Sequence, residues 1–321
     1  MIARELVVIP SYAEEVLRGL TARQKTLPCK LLYDRRGSEL FEEITRLPEY
    51  YLTRTELEIL RERSKEIALA AGAPVSIVEL GAGTATKTST LLDAFAARQM
   101  RVKYFPVDIS STALADAEKR VREQCPSAVV RPVVADFSDG FDFLRDIAGR
   151  KLVLYLGSSI GNFDWKDAVD LLSNVREQLS PGDGLLLGAD MAKAPGILLP
   201  AYDDAQGVTA QFSKNILARL NRELGADFDV DTFRHIAEWN AAQSRMEIFL
   251  ESERPQHVNL GVLRRTIYFR RGERIHTENS YKYTMPMVER LLCVSGFKLE
   301  KSWFDRQGWF GLHLAQISKT K

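Results

Sequence analysis

The sequence predicts an α/β protein. An open, largely parallel sheet carries helices on both faces, and a second α+β domain is formed by the N-terminus and a long insertion. Three observations carry this reading. Short β-branched apolar runs alternate with helix-length segments from residue 75 to residue 189. The first of those runs ends in a glycine-rich turn. The alternation stops near Ala192 and resumes only close to the C-terminus.

Residues 11–70 read as helical. Ser11-Tyr-Ala-Glu14 has the form of a capping box, and Thr53-Arg-Thr-Glu56 is another, followed by Leu57, Ile59 and Leu60. After Pro74 a strand over 75–80 runs into Gly81-Ala-Gly83-Thr84, and a helix over 88–97 follows. Strands are expected over 102–107, 129–134, 152–156 and 185–189, with helices over 111–124, 141–147 and 165–179 between them. Residues 202–224 and 230–239 read as helices, and 246–250, 257–260 and 266–269 as strands. A helix over 285–294 precedes two strands, 298–305 and 310–317, that meet across Arg306-Gln-Gly308 in a hairpin. The domains expected are 56–192 with 283–321, and 1–55 with 193–282.

Composition narrows the function. The 321 residues carry 44 Lys+Arg against 43 Asp+Glu, so no basic excess points to nucleic acid or to a membrane surface. The longest apolar runs fall far below the ~20 residues of a membrane helix. The N-terminal segment is not a signal peptide in pattern. Three widely spaced cysteines suggest neither disulfides nor a thiolate zinc site. A cytoplasmic monomer is expected, acting on a small molecule.

The glycine turn sits where a strand gives way to a helix, so backbone N–H groups can approach a ligand closely. Asp108 ends the next strand, about 20 residues on, where an acid binds a ribose diol. Asp136 and Phe137 follow the third strand; the acid can accept from an adenine amino group and the ring can stack on the base. Thr86 stands where a dinucleotide fingerprint has its third glycine. The acid before the turn, Glu79, suits a cationic cofactor better than two phosphates. Lys87 is placed to meet a carboxylate. These features favour S-adenosylmethionine.

Further strings extend over nearly the whole chain: Tyr33-Asp34 with Gly37-Ser38, Ile44-Thr-Arg-Leu-Pro-Glu-Tyr-Tyr51, Thr53-Arg-Thr-Glu56, Gly157-Ser-Ser-Ile-Gly-Asn162, Ala201-Tyr-Asp-Asp204, Gly207-Val-Thr209, Asn221-Arg-Glu-Leu224 and Glu278-Asn-Ser280. In these the chain resembles the histidine-specific Nα-methyltransferases of ergothioneine biosynthesis. The resemblance implies a Rossmann-like class I methyltransferase sheet, with the amino acid in the cleft between two domains. It implies cofactor contacts at Gly81, Gly83, Thr84, Lys87, Asp108, Asp136 and Phe137. It implies that Asn162 and Tyr202 clamp the substrate carboxylate and that Tyr50, Glu278 and Ser280 hold the imidazole, with Thr209 nearby. Tyr33 and the Gly157 backbone are implied close to the amino group, and L-histidine is implied as substrate, methylated up to three times to hercynine.

The chemistry of the residues agrees. A neutral imidazole has one N–H donor and one acceptor nitrogen. A carboxylate takes the first and a hydroxyl satisfies the second, and Glu278 and Ser280 share one face of a strand. Plainer readings stand beside these. Tyr51 reads as packing, Asn162 has the alternative of a helix cap, and Asp203 and Asp204 read as a helix start. Glu278 has the alternative of a cross-strand charge pair with Arg274, His276 or Lys282. The four histidines lack metal-ligand spacing. Three other functions compete: an ergot-type indole amine methyltransferase, a non-catalytic sensor of S-adenosylmethionine and a nicotinamide dehydrogenase.

Overall fold

The computed structural model describes residues 10–137 and 140–317. Helix α1 (Ala13–Thr21), strand β1 (Lys25–Thr26) and helix α2 (Arg35–Ile44) come first. The long α3 (Tyr51–Ala71) leads into β2 (Ser76–Leu80), α4 (Ser89–Gln99), β3 (Val102–Asp108), α5 (Ser111–Gln124), β4 (Ala128–Val130) and β5 (Val133–Val134). Next come β6 (Lys151–Tyr155), α6 (Trp165–Glu177) and β7 (Gly184–Asp190). The insertion holds α7 (Pro195–Tyr202), α8 (Val208–Leu224), β8 (Phe233–Asn240), β9 (Arg245–Ser252), β10 (Gln256–Leu260), β11 (Arg265–Phe269) and β12 (Arg274–Tyr281). The chain ends with α9 (Met285–Val294), β13 (Phe297–Phe304) and β14 (Phe310–Ile317). Two compact units result: residues 52–192 with 281–317, and residues 10–51 with 193–280.

In the first unit the strand order is β13-β14-β7-β6-β2-β3-β4, with β5 also on β3. β2, β3, β4, β6 and β7 run parallel, and β14 runs antiparallel between β7 and β13. Alternating side chains explain why the strands read as unbroken apolar runs. Leu152 and Leu154 of β6 and Leu186 of β7 enter one core, with Phe95, Tyr104 and Trp303. Val153, Tyr155, Leu185 and Leu187 enter the other, with Val107, Leu172 and Leu291. A sheet covered on both faces has no polar side to alternate with. The strand order reverses between β2 and β6, and open α/β sheets bind ligands at the carboxyl ends beside such a switch.

In the second unit a four-stranded sheet has the order β1-β12-β9-β8, and β10-β11 is a separate hairpin. Strand β9 alternates strictly, burying Met246, Ile248, Leu250 and Ser252. This is the pattern of a sheet with one covered face.

Several elements depart from the sequence reading. Residues 230–239 are not a helix; after one 3₁₀ turn the chain forms β8, paired with β9 along its length. β-branched and aromatic residues there found a cross-strand partner that local pattern does not reveal. The helix expected over 202–224 breaks between α7 and α8, where Gly207 has φ 71°. Arg131-Pro132 splits the strand expected over 129–134, since proline offers no ladder N–H. Neither capping box forms. Tyr12 precedes α1 without a side-chain cap, and Thr53 lies inside α3, whose Glu56 points elsewhere.

Candidate active site

At the carboxyl end of β2 the chain turns through Gly81 and Gly83, with φ of 69° and 51°. A Cβ at either position would meet nothing within 4 Å, so their bare backbone faces open space. The turn is fastened to β3: the N–H groups of Gly81 and Ala82 both donate to the Val107 carbonyl. Asp108 ends β3 with its two carboxylate oxygens fixed, one accepting from the Gly83 N–H and the other from the Ser110 N–H, both at 2.9 Å. A carboxylate so held keeps lone pairs for further donors. Thr84 is half-buried in the same turn. Asp136 and Phe137 follow β5, and the Phe137 ring packs on Phe141 with centroids 5.4 Å apart.

Glu79 does not face this turn. It is buried in the sheet, where Thr88 donates to both its oxygens at 2.7 and 2.8 Å and the Tyr104 hydroxyl donates as well. Burial raises its pKa. The anion near the turn is Glu56, from α3. One of its oxygens accepts from the Lys87 ammonium and the other from the Gly157 N–H at 2.7 Å.

Gly157 and Ser158 follow β6 in left-handed backbone conformations, φ 74° and 61°. The Ser158 hydroxyl accepts from the Asp190 N–H at 2.8 Å. Asp190 in turn pairs with Lys282 at 2.8 Å, both side chains fully buried. A Cβ at Gly161 would come within 2.9 Å of the Tyr281 carbonyl oxygen, so this glycine is a packing requirement. Asn162 ends the 3₁₀ turn Ser159–Asn162. It is not the helix cap; Asp164 holds that position.

The second unit assembles the aromatic and acidic residues. Tyr33 packs edge-on against Phe41 and Phe212, centroids 5.7 and 5.4 Å away, and Phe41 packs against Tyr50 at 6.1 Å. The residue is 38% exposed as a whole, but its hydroxyl is desolvated. Burial first, then the Glu278 carboxylate, then Tyr50, Cys29 and Tyr202 raise its pKa well above 10. Burial, with Glu278 beside it, also pushes the Cys29 thiol up to about 12. Glu278 therefore lies close to both. Two residues on, Ser280 is buried and its hydroxyl is 2.7 Å from that of Tyr202. The carbonyl of Tyr202 accepts from His235 Nε2 at 2.8 Å, which fixes the proton on that nitrogen. Arg274, a basic neighbour of Glu278 in sequence, pairs with Glu238 and Glu251.

Helix α8 anchors this cluster. Asp204 accepts the N–H groups of Val208 and Thr209 at 3.0 and 2.7 Å. Burial works against its ionisation, yet those N–H groups hold its carboxyl below the usual range. Asp204 thus serves the start of α8 as expected, whereas Asp203 caps the end of α7. The Thr209 hydroxyl is buried beside the Asp204 carboxylate, outside good hydrogen-bond geometry to it but close enough to help hold it ionised. Asp34 caps α2 through the Gly37 N–H and accepts from Asn215 of α8, at 2.7 and 2.8 Å. A Cβ at Gly37 would lie 1.7 Å from the Leu32 carbonyl oxygen. The Tyr33-Asp34 and Gly37 string thereby holds the Tyr33 ring. Asn221 makes two 2.8 Å bonds to the Phe228 peptide and is structural.

A family profile described as histidine-specific methyltransferase, SAM-dependent, matches residues 12–317. The chain belongs to that family. It is 44% identical over 301 residues to a histidine N-alpha-methyltransferase of Mycolicibacterium smegmatis, covering 94% of this chain and 93% of the relative. A histidine N-alpha-methyltransferase of Mycobacterium tuberculosis is 43% identical over 303 residues, with the same two coverages. A 4-dimethylallyltryptophan N-methyltransferase of Claviceps purpurea is 29% identical over 319 residues, covering 91% of each chain.

As in other histidine-specific methyltransferases, the methyl donor is S-adenosylmethionine. The sheet unit fits it. The open Gly81 and Gly83 backbone admits a ligand, Asp108 is an oriented acceptor for a diol, and Asp136 and Phe137 lie at the next strand end. Lys87, paired with Glu56, is a cation just ahead of the helix that follows the turn. Three residues of this methyltransferase escaped sequence reasoning. Phe41 and Phe212 stand in no motif of the sequence, and Glu56 looked like half of a capping box. No local signal distinguished them.

Proposed function

We propose that this methyltransferase transfers methyl groups to the α-amino nitrogen of L-histidine, in up to three rounds, giving hercynine in the first steps of ergothioneine biosynthesis. The observation that carries the reading is the pairing on β12. Glu278 is an acid within the field of Tyr33, and Ser280, two residues on, is hydrogen-bonded to Tyr202. An acid and a hydroxyl match the donor and acceptor nitrogens of a neutral imidazole. When histidine binds, the Ser280 hydroxyl can turn its proton to the acceptor nitrogen and the Tyr202 hydroxyl its own to the substrate carboxylate, while Glu278 takes the ring N–H. The names of the two mycobacterial relatives support the α-amino nitrogen as the site of transfer.

In this reading Tyr50 closes the ring site, with Thr209 beside it, and Asn162 and Tyr202 take the substrate carboxylate. When bound, S-adenosylmethionine supplies the methyl as an activated sulfonium, held through the Gly81, Gly83 and Thr84 turn, Lys87, Asp108, Asp136 and Phe137. The chain's own task is orientation, which supplies several kcal/mol of rate acceleration in well-aligned sites. The amine must be neutral to act as a nucleophile. Tyr33 stays protonated because its pKa is raised. It orients the amine by hydrogen bonding, with the Gly157 backbone, and the proton passes to solvent. Among the described residues no helix is long and apolar enough to cross a membrane, and Cys29, Cys125 and Cys293 are unpaired. The unpaired thiols suit a reducing compartment, and the proposal is a cytoplasmic protein acting as a monomer.

The Claviceps relative suggests a prenylated indole as a second substrate class, but an indole N–H needs one acceptor and leaves Ser280 without a task. Mass spectrometry of histidine incubated with the protein and S-adenosylmethionine tests the proposal. Gains of one, two and three methyl units are expected, and unchanged histidine overturns it.

A further inference from the structure

The buried Glu56 is not used by the reading above. Its side chain is fully enclosed, although that of Lys87 remains 22% exposed. It comes from α3, a helix remote in sequence from both groups it holds: the Lys87 ammonium beyond the glycine turn and the Gly157 N–H after β6. These two lie on either side of the switch between β2 and β6. The sheet makes room for the carboxylate. A Cβ on Gly188 of β7 would come within 2.9 Å of a Glu56 oxygen, so this strand omits a side chain where the acid sits. A full charge enclosed in this way carries a large desolvation penalty and is retained only where it is paired.

The charge balance has a consequence for the ligand. S-adenosylmethionine carries a sulfonium, whereas the demethylated product carries a neutral thioether; their amino-acid ends are the same. An unbalanced Lys87 would attract the shared carboxylate and disfavour the donor's extra positive charge. Glu56 offsets that charge through the ion pair, with the buried Glu79, whose pKa burial raises, also in the field of Lys87, and the lysine still offers its donors. We propose that Glu56 is a positioning residue that holds Lys87 and the Gly157 loop together and, by neutralising Lys87, sets the preference for methyl donor over demethylated product. This rests on the reading of Lys87 as a cofactor contact. It matters most for an enzyme that must exchange product for donor between rounds.

The test is the ratio of affinities for S-adenosylmethionine and S-adenosylhomocysteine, measured by calorimetry on the whole chain without histidine. Glu56→Gln keeps the size and an acceptor oxygen for the Gly157 N–H but leaves Lys87 unbalanced. The preference for the donor should fall roughly tenfold, the scale of one added charge several ångströms away in a partly buried site. Lys87→Met leaves Glu56 unbalanced instead. Both ligands should bind more weakly while the preference for the donor rises. The double variant removes both charges and should return the ratio close to that of the unmodified protein. Melting temperatures are recorded for all three.

If Glu56→Gln weakens both ligands equally, or lowers only the melting temperature, the residue is structural and the proposal fails while Lys87 keeps its role. If Lys87→Met leaves both affinities unchanged, the assignment of Lys87 fails and the proposal falls with it. Should Glu56→Gln not fold, the opposite shift in Lys87→Met and its reversal in the double variant still decide the matter, and absence of either overturns it.

Discussion

Replacement of Glu278 tests the imidazole grip most directly. Its carboxylate is half-buried and close enough to Tyr33 and Cys29 to raise both pKa values. A hydrogen bond from a ring N–H to such a charged acceptor contributes about 1.5–3 kcal/mol. Glu278→Ala should therefore lower kcat/KM for histidine by roughly 10- to 150-fold. Glu278→Gln keeps an acceptor oxygen and should fall near the lower end. Cofactor affinity should stay within about twofold, because in this reading the acid binds the imidazole and not the methyl donor. The variants should also leave the form of the pH–rate profile between about pH 7 and 9 unchanged. Burial, the larger cause, keeps the Tyr33 phenol above its ordinary value even without the acid. The assay is initial rate against histidine at saturating donor, with calorimetry of the demethylated cofactor and a melting curve. Equal losses in histidine turnover and cofactor affinity would refute the assignment, as would an unchanged kcat/KM.

Three further outcomes are expected. Tyr202→Phe removes the hydroxyl 2.7 Å from Ser280; kcat/KM for histidine should fall by about five- to tenfold, the worth of one buried hydrogen bond, with donor affinity unchanged. Gly81→Ala meets no neighbour but forces a side chain onto φ 69°. Calorimetry should show donor binding largely lost, while the melting curve registers only about 1 kcal/mol of strain. His313 is buried with its pKa lowered to about 4 by burial. A histidine held neutral in the fold contributes stability that is complete above about pH 6.5 and is lost as pH falls toward 4, up to about 3 kcal/mol in all. Urea midpoints of His313→Asn should accordingly vary less with pH over that window than those of the unmodified chain.

The sheet was legible because its strands are buried on both faces and separated by helices of ordinary length. The runs at Leu152–Leu156 and Leu185–Leu187 need no partner to be recognised, and the reversed β14 was signalled by its hairpin. Strand β8 was not legible, since its identity comes from pairing with β9. The glycine turn with Asp108 was readable as chemistry because residue type and spacing specify it. The grouping of Tyr33, Tyr50, Tyr202 and Glu278 was not, as the four stand far apart in the chain and only the resemblance linked them. Glu79 and Glu56 show the limit most plainly. Both are acids near the turn, and only coordinates reveal that one bonds within the core and the other reaches Lys87.

The pairing of β1 with β12 sets a constraint on biosynthesis. Lys25 and Thr26 lie beside Ile275 and His276, and Gln24 bonds the Arg274 carbonyl 250 positions later. A ribosome has thus made most of the chain before this edge of the small sheet can close, and contacts of such long separation form slowly. The parallel sheet's β2 to β7 are complete well before that moment. Yet both units close late: β14, which pairs with β7 and fills both cores of the larger sheet, is made after the strand that carries Glu278 and Ser280.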